Sequence, residues 1–452
     1  MVEHFCNSIH ASLIPPSRSR FVDIQGQQVL SPEFKAADHP VYLFRSEDTK
    51  SAWEAFHALC EAGKVKAAWA VENGLGEAVM KMSFGNRIGF ESCGTVGSQW
   101  HMPGFYGFIV AELTEEVDLP GVLLIGETIE EPVIALDGDE ASIDELLKLN
   151  ETVLEGVYAT DAPAEGETPV FAYKGGCTAA PAVKTAKPKA LIPVFPGTNC
   201  EYDSARALEN AGAEADIVVI RNLTADDVAR SVEEVARKLS ESQMVFIPGG
   251  FSGGDEPDGS AKFITAFFRN PAIREQVTRL LEDRDGLMCG ICNGFQALIK
   301  LGLVPYGKII DTDDTCPTLT FNTIGRHQSR IVRTRIASNK SPWLSLMNVG
   351  DVVNVAISHG EGRFFATPEL AKQLAENGQV ATQYVDLQNN PTMDAAFNPN
   401  GSLFAIEGIT SPDGRVFGKM GHSERFSTGC YSNVPGNYDI RMFEAAVKYF
   451  KG

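Results

Sequence analysis

One stretch, GLMCGICNGFQALIKL from Gly286 to Leu301, constrains the fold of this chain more than any other. An apolar run suited to a buried strand reaches Gly290, Cys292 follows after Ile291, and Gly294 comes two residues later. Beyond it Ala297, Leu298 and Leu301 recur at helical spacing. A strand, a tight turn and a helix in that order, with small residues either side of the turn, make the cysteine form of a nucleophile elbow. Such a corner is strained and lifts its central side chain above the end of a sheet. Cys292 is therefore the candidate nucleophile, and the neighbouring sequence has to supply the sheet.

ALIPVF at 190–195 is followed by a helical pattern from Tyr202 to Ala213, a strand pattern DIVVI at 216–220 and a helix opened by Thr224 as N-cap. The strand pattern MVFIPGG comes next at 244–250, then two helical stretches between Ala261 and Asp283. This alternation predicts an α/β fold: a mostly parallel sheet with helices on both faces and functional loops at the strands' carboxyl ends. From Thr318 to Val416 strand patterns dominate, in TLTFNTIG, SRIVRTRI, VVNVAIS and LFAIEGI, and predict an antiparallel extension. Met442, Ala445, Ala446, Tyr449 and Phe450 place a closing helix at 440–450.

At 452 residues the chain exceeds one ordinary core, so two domains are expected. Residues 1–160 read as a smaller α+β domain, in which Ser51 to Ala62 sets Trp53, Phe56, Leu59 and Cys60 on one helical face. VYLF at 41–44 and GFYGFIVAEL at 104–113 read there as strands. Gly74 and Gly76 precede a helix and are more simply a turn than an anion site. Residues 161–189, which include AAPAVKTAKPKA, carry too little periodic apolar content for a packed element and read as an interdomain linker to a second domain at 190–452.

A net charge of -20 with no clustered Lys and Arg excludes a nucleic-acid partner. No apolar run is long enough for a membrane span, and MVEHFCNSIHASLIPPSRSR lacks the order of a signal peptide, so the cytoplasm is the expected compartment. Nine cysteines without framework spacing fit reduced thiols. His39, His57 and His101 have no metal-ligand spacing around them, so no metal site is expected.

A thiol elbow needs a base, a group to orient the base, and donors for an oxyanion. His422 in GKMGHSERF follows a strand pattern and has Glu424 two residues on, where a carboxylate can hold the imidazole in the tautomer that accepts the thiol proton. His327 and His359 compete for the role of base, and spacing alone does not choose among the three. For the oxyanion, Gly249, Gly250, Gly253 and Gly254 follow a buried strand, where backbone N–H groups can approach a ligand with no Cβ in the way, and the Asn293 amide is the second donor. Cys289 stands three before Cys292 in a CxxC, which suggests a redox pair. Against that reading, Cys289 falls inside the strand pattern instead of opening a helix.

With these groups assembled, the segments PVFPGTNCEYDSARALENAGAEADIVVI, IPGGFSGGDEPDGSAKF, GICNGFQALIKLGLVP, ISHGEGRF and NPNGSLFAIEGITSPDGRVFGKMGHSER resemble, in order, the class I glutamine amidotransferase domain of the phosphoribosylformylglycinamidine synthase family. The resemblance covers nearly all of 190–452 and implies a flavodoxin-like fold. By position it implies that Cys292 is the glutamine-attacking thiolate, His422 its base and Glu424 the orienting group. Gly250, with Gly249, and the Asn293 amide would line the oxyanion, and Gln296 would contact bound glutamine. Where the family usually reads Pro-His-Pro-Glu-Arg this chain reads Gly421-His422-Ser423-Glu424-Arg425, and losing both prolines is expected to loosen the backbone beside the base.

Residues 40–155, with GKVKAAWAVENGLGEAVMKMSFGNRIGFE as the clearest segment, resemble the carboxyl-terminal piece of the same family's synthetase portion, related to aminoimidazole ribonucleotide synthetase. The resemblance implies L-glutamine as substrate and formylglycinamide ribonucleotide as ammonia acceptor. ATP and magnesium would serve the full reaction, at sites largely outside this chain, and a separate amino-terminal synthetase portion would be the partner. The glutaminase step itself needs no cofactor. Two other readings stay open: another cysteine hydrolase on the same elbow, which would usually carry histidine where Asn293 stands, and a non-catalytic glutamine-binding module.

Overall fold

A computed structural model describes residues 30–45, 48–102, 105–163, 166, 168–252 and 260–451. The amino-terminal stretch read above for a signal peptide, Gly104 of the predicted strand, and Gly253 and Gly254 lie outside the described residues. The chain divides into two compact units, Met1–Tyr158 and Ala159–Gly452. Among the described residues no helix is long and apolar enough to cross a membrane.

The first unit is α+β. Strands β1 (Pro40–Phe44), β2 (Val65–Ala70), β3 (Gly89–Ser92), β4 (Ile109–Leu113), β5 (Val122–Ile129), β6 (Val133–Leu136) and β7 (Asp139–Ser142) form one sheet in the order β2-β4-β1-β5-β3-β6-β7. Side chains alternate across a strand, so Val41 and Leu43 of β1 enter one core with Leu75, Val79 and Met82, while Tyr42 and Phe44 enter another with Phe56 and Leu59. Helix α1 (Thr49–Glu61) covers the second face and α2 (Leu75–Phe84) the first. A third helix, α3 (Ile143–Thr152), follows β7. Gly74 is the N-cap of α2, and a Cβ on Gly76 would lie 2.9 Å from the Trp100 carbonyl oxygen, so that glycine serves a close backbone approach. His39 is bonded through Nδ1 to the buried Glu112 at 2.5 Å.

The second unit holds β8 (Lys189–Val194), β9 (Glu214–Val219), β10 (Met244–Ile247), β11 (Leu287–Ile291), β12 (Thr318–Phe321), β13 (Gln328–Ile336), β14 (Val352–His359), β15 (Glu361–Phe365), β16 (Val380–Tyr384), β17 (Ile406–Thr410) and β18 (Val416–Lys419). Nine of them make one sheet, ordered β14-β13-β16-β17-β18-β11-β10-β8-β9. The run from β9 to β18 is parallel. The remaining strands of this sheet pair antiparallel, so the extension expected from 318–416 continues the parallel sheet, and only β12 and β15 stand apart as a separate pair. The chain leaves β8 toward β9 on one side and returns to β10 on the other. That reversal opens a crevice at the carboxyl ends of the strands, where ligands of open α/β sheets bind.

The helices of this unit include α4 (Glu201–Asn210), α5 (Ala225–Glu241), α6 (Lys262–Phe268), α7 (Pro271–Glu282), α8 (Asn293–Lys300), α9 (Pro368–Glu376) and the closing α10 (Met442–Lys451), with a short turn of helix at Leu303–Tyr306. Thr224 caps α5 in a full capping box with Asp227, which satisfies two end donors reciprocally. α10 buries Met442, Ala446 and Phe450 in the main core.

Residues 159–188 contain no helix or strand among those described, yet they are strapped to the second unit. Phe171 N–H donates to Gln383 Oε1 at 3.0 Å, Gln383 Nε2 donates to the Pro169 carbonyl at 2.9 Å, and Thr185 N–H donates to the Phe450 carbonyl at 2.9 Å. The Phe171 ring meets Phe404 edge-on at 6.0 Å. The stretch expected as an interdomain linker thus finds partners for its backbone polar groups on β16 and the closing helix, an anchoring that leaves no periodic mark in sequence.

Candidate active site

Cys292 stands between β11 and α8 at φ 53°, ψ -107°, a conformation that strains any residue with a Cβ. The spacing of its glycines follows from contact. A Cβ on Gly290 would lie 2.5 Å from the Gly294 carbonyl, and one on Gly294 would lie 2.0 Å from the carbonyl oxygen of Ile247 on β10. Cys292 N–H donates to the Lys419 carbonyl at 2.9 Å, which ties the corner to the end of β18.

β18 runs parallel to β11 with Ile291 opposite Lys419, so the chain leaving β18 passes directly beside the elbow. His422 lies there, its N–H donating to the Ala356 carbonyl at 2.8 Å. Its Nδ1 donates to Glu424 Oε1 at 2.6 Å, and both side chains are buried. Burial alone would push the imidazole pKa down. The charge of Glu424, then Cys292 and Cys200 beside it, override that and hold it well above the usual histidine range. Glu424 responds reciprocally: burial pushes its carboxyl up, but His422 brings it below the ordinary value.

The competing histidines stand nearby in other roles. His359 is buried, with Nδ1 3.2 Å from Asn322 Oδ1 and Nε2 lacking a hydrogen-bond partner. Burial, then the charges of His422 and His327, push its pKa down to about 3. His327 is exposed and meets the Ser358 hydroxyl at 3.0 Å. Of the three, the structure pairs His422 with a carboxylate next to Cys292.

The loop around His422 is firm without prolines. Lys419, wholly buried, lies 3.3 Å from Glu407 and donates to the Gly421 carbonyl at 2.9 Å and to Ser423 Oγ at 3.0 Å. Gly421 N–H donates to Glu407 Oε1 at 2.7 Å. The looseness expected from Gly421 and Ser423 is thus corrected: each contributes a hydrogen bond to a buried ion pair.

On the opposite side, the chain leaves β10 through Gly249 and Gly250. Asn199 N–H donates to the Gly249 carbonyl at 3.2 Å and Phe251 N–H to the Gly197 carbonyl at 2.8 Å, a bridge that leaves Gly250's own N–H outside it. Gly250 has φ 148°, and a Cβ on it would lie 2.5 Å from the Gly197 oxygen. A Cβ on Gly249 would lie 2.7 Å from His422 Cε1 and 3.4 Å from Cys292 Cβ, so this glycine makes room for both side chains together. Asn293 opens α8, and its N–H has no intrahelical acceptor. Its side chain accepts from Ser252 Oγ at 2.6 Å and donates to Gln296 Oε1 at 2.8 Å. Gln296 is buried, and its amide nitrogen donates to the Glu361 carbonyl. Its second amide hydrogen and the second lone pair of Oε1 are not used by these two bonds.

Sequence reasoning assigned no role to Cys200. It is fully buried as the N-cap residue of α4, as Cys292 is the N-cap residue of α8. Its sulfur lies 3.8 Å from His422 Nδ1, 2.9 Å from the Arg425 guanidinium and 2.9 Å from Asn199 Oδ1. A second strand-turn-helix corner in FPGTNCE was the available signal.

Residues 187–450 match the CobB/CobQ-like glutamine amidotransferase domain. The phosphoribosylformylglycinamidine synthase subunit PurQ of Methanococcus maripaludis is 35% identical over 255 residues, 56% of this chain and 87% of the relative. The same subunit of Thermus thermophilus is 34% identical over 244 residues, covering 54% of this chain and 91% of that protein. Among solved structures, PurLQS from Thermotoga maritima is similar at 25% identity over 58% of this chain and 99% of that chain, with a TM-score of 0.42. The chain belongs to the glutamine amidotransferase family that contains the PurQ subunits of phosphoribosylformylglycinamidine synthase, with its CobB/CobQ-like domain at 187–450.

Proposed function

We propose that this chain hydrolyses glutamine as the glutaminase of a phosphoribosylformylglycinamidine synthase and hands the ammonia to a synthetase site. The observation that carries the reading is the 2.6 Å contact between His422 and Glu424 beside a strained thiol elbow. A charged imidazole next to a sulfur favours the thiolate, which is the attacking species. The Cys292 sulfur adds to the side-chain amide carbon of glutamine. The Gly250 and Asn293 N–H groups, with Gly249 leaving space, take the oxyanion. As the C–N bond breaks, His422 gives its proton to the departing ammonia. Water then attacks the thioester, His422 accepts its proton, glutamate leaves and the thiol returns. In this scheme Glu424 orients the imidazole, and Gln296 contacts glutamine.

The first unit is read as the carboxyl-terminal part of a synthetase domain, a reading supported by the segment 63–91 and by the unit's α+β character. Formylglycinamide ribonucleotide, ATP and magnesium belong to that half-reaction, and a larger synthetase portion is the partner. Among the described residues the converging ligand group is Cys200, His422 and Glu424. Its sulfur and nitrogen donors do not suit magnesium, which takes oxygen, so no step here runs through that ion. Cytoplasmic location accords with this chemistry.

The test is Cys292→Ser in the complete enzyme. Glutamine-dependent amidine formation should disappear while synthesis from added ammonia continues. Loss of both activities together would overturn the division of labour.

A further inference from the structure

We propose that Cys200, His422 and Glu424 form a site for one thiophilic divalent cation, of the zinc or cadmium kind, which disables the base when it binds. The site itself stands on geometry alone, and only its inhibitory consequence rests on the glutaminase reading above.

The three side chains come from two loops at the crevice, Cys200 after β8 and the others after β18. All are buried, and one sulfur, one imidazole nitrogen and one carboxylate oxygen lie within 4.8 Å of one another. The Cys200 sulfur is 3.8 Å from His422 Nδ1. A tetrahedral zinc with bonds of about 2.3 Å to sulfur and about 2.0 Å to nitrogen holds those two ligands about 3.6 Å apart. The 2.6 Å between Nδ1 and Glu424 Oε1 has to open to about 3.3 Å, a shift within reach of a side-chain rotation.

A second observation points the same way. Glu424 Oε2 is buried and has no hydrogen-bond partner. A carboxylate oxygen left so is costly unless a charge or donor completes it. Arg425 lies against the Cys200 sulfur at 2.9 Å and 3.9 Å from Asp203, so its guanidinium has to swing toward Asp203 when the ion takes that sulfur. On binding, one proton leaves the Cys200 sulfur and one leaves Nδ1. The imidazole's remaining proton then sits on Nε2, where it donates and can no longer accept.

The experiment titrates cadmium into the reduced full chain and follows ultraviolet thiolate-to-metal charge transfer, comparing wild type with Cys200→Ser and Cys292→Ser. One tight site is expected, weakened at least about 100-fold in Cys200→Ser and retained in Cys292→Ser. A tight site that survives in Cys200→Ser overturns the proposal. Because that variant has to fold, zinc-edge X-ray absorption on the wild-type chain gives an independent reading. Sulfur together with nitrogen or oxygen neighbours supports the site, and a shell of nitrogen and oxygen alone overturns it. Glutamine hydrolysis by the complete enzyme is measured separately. Bound metal with undiminished hydrolysis overturns the inhibitory role. A chain that binds metal but hydrolyses no glutamine under any condition refutes the glutaminase reading and leaves the site standing.

Discussion

Lys419 lies 3.3 Å from Glu407 with both side chains wholly out of solvent, and this pair holds the backbone on which His422 sits. Thr382 Oγ1 donates to the other Glu407 oxygen, so the carboxylate is satisfied from three directions. Lys419→Met removes the cation and leaves Glu407 buried and unbalanced, which should cost about 3–5 kcal/mol. Paired replacement by Lys419→Met and Glu407→Met should recover much of that stability but not the position of the base. Denaturant melts of the second unit, with kcat for glutamine hydrolysis, separate the two effects. Recovery of full kcat in the double variant would show that the pair only stabilises.

Gly249 supplies space that no other residue can. In Gly249→Ala the new methyl carbon would start 2.7 Å from His422 Cε1 and 3.2 Å from the Cys200 sulfur. The imidazole has to retreat, and a displacement near 1 Å in a reacting group costs about 100-fold in rate. Stability should change little by comparison, because the displaced ring has the crevice to move into. An unchanged kcat would mean that His422 has more freedom than its bonds to Glu424 and Ala356 suggest.

The parts of this site written in local sequence were the legible ones. The elbow could be read because Gly290 and Gly294 stand two residues either side of Cys292 in one short segment, although the contact that demands Gly294 comes from Ile247, and the His422–Glu424 pair because two-residue spacing brings both groups to one side. Parallel strands alternating with helices marked the crevice equally well. Cys200 was not legible as a site residue, since it meets His422 across 222 positions and through a reversal of strand order. The same holds for Lys419 and Glu407, which meet only after β17 and β18 pair with Lys419 opposite Gly408, the neighbour of Glu407. The strapping of 159–188 rests on backbone bonds to Gln383, Ala337 and Phe450, which composition does not encode.

His359 makes the fold sensitive to acid. Its folded pKa is pushed down to about 3 from 6.5, so the native state keeps it neutral while the unfolded chain takes up a proton. Stability from this group is therefore whole above pH 6.5 and falls as the pH drops toward 3, at about 1.4 kcal/mol per pH unit. His359→Gln should flatten that slope, though it costs stability at neutral pH through lost packing. Hydrogen exchange of β14 amides between pH 4.5 and 7 is the readout. Equal slopes in the two proteins would mean that His359 is protonated in the native state.

Restoring a proline before the base should harm this chain. Gly421 N–H is the donor to Glu407 Oε1, and proline has none to give. A Cβ at this position would also lie 2.7 Å from both methyls of Val355 and 3.0 Å from that same carboxylate oxygen. Gly421→Pro therefore combines a clash with an unmet bond at a buried charge, and a loss of about 3 kcal/mol is expected. Its effect on hydrolysis should appear in kcat more than in KM, because under the proposed roles His422, the base, shifts while Gln296 on α8, the glutamine contact, stays in place. A single Gly421→Pro variant with raised stability would show that the buried Lys419–Glu407 pair is not what stiffens the loop.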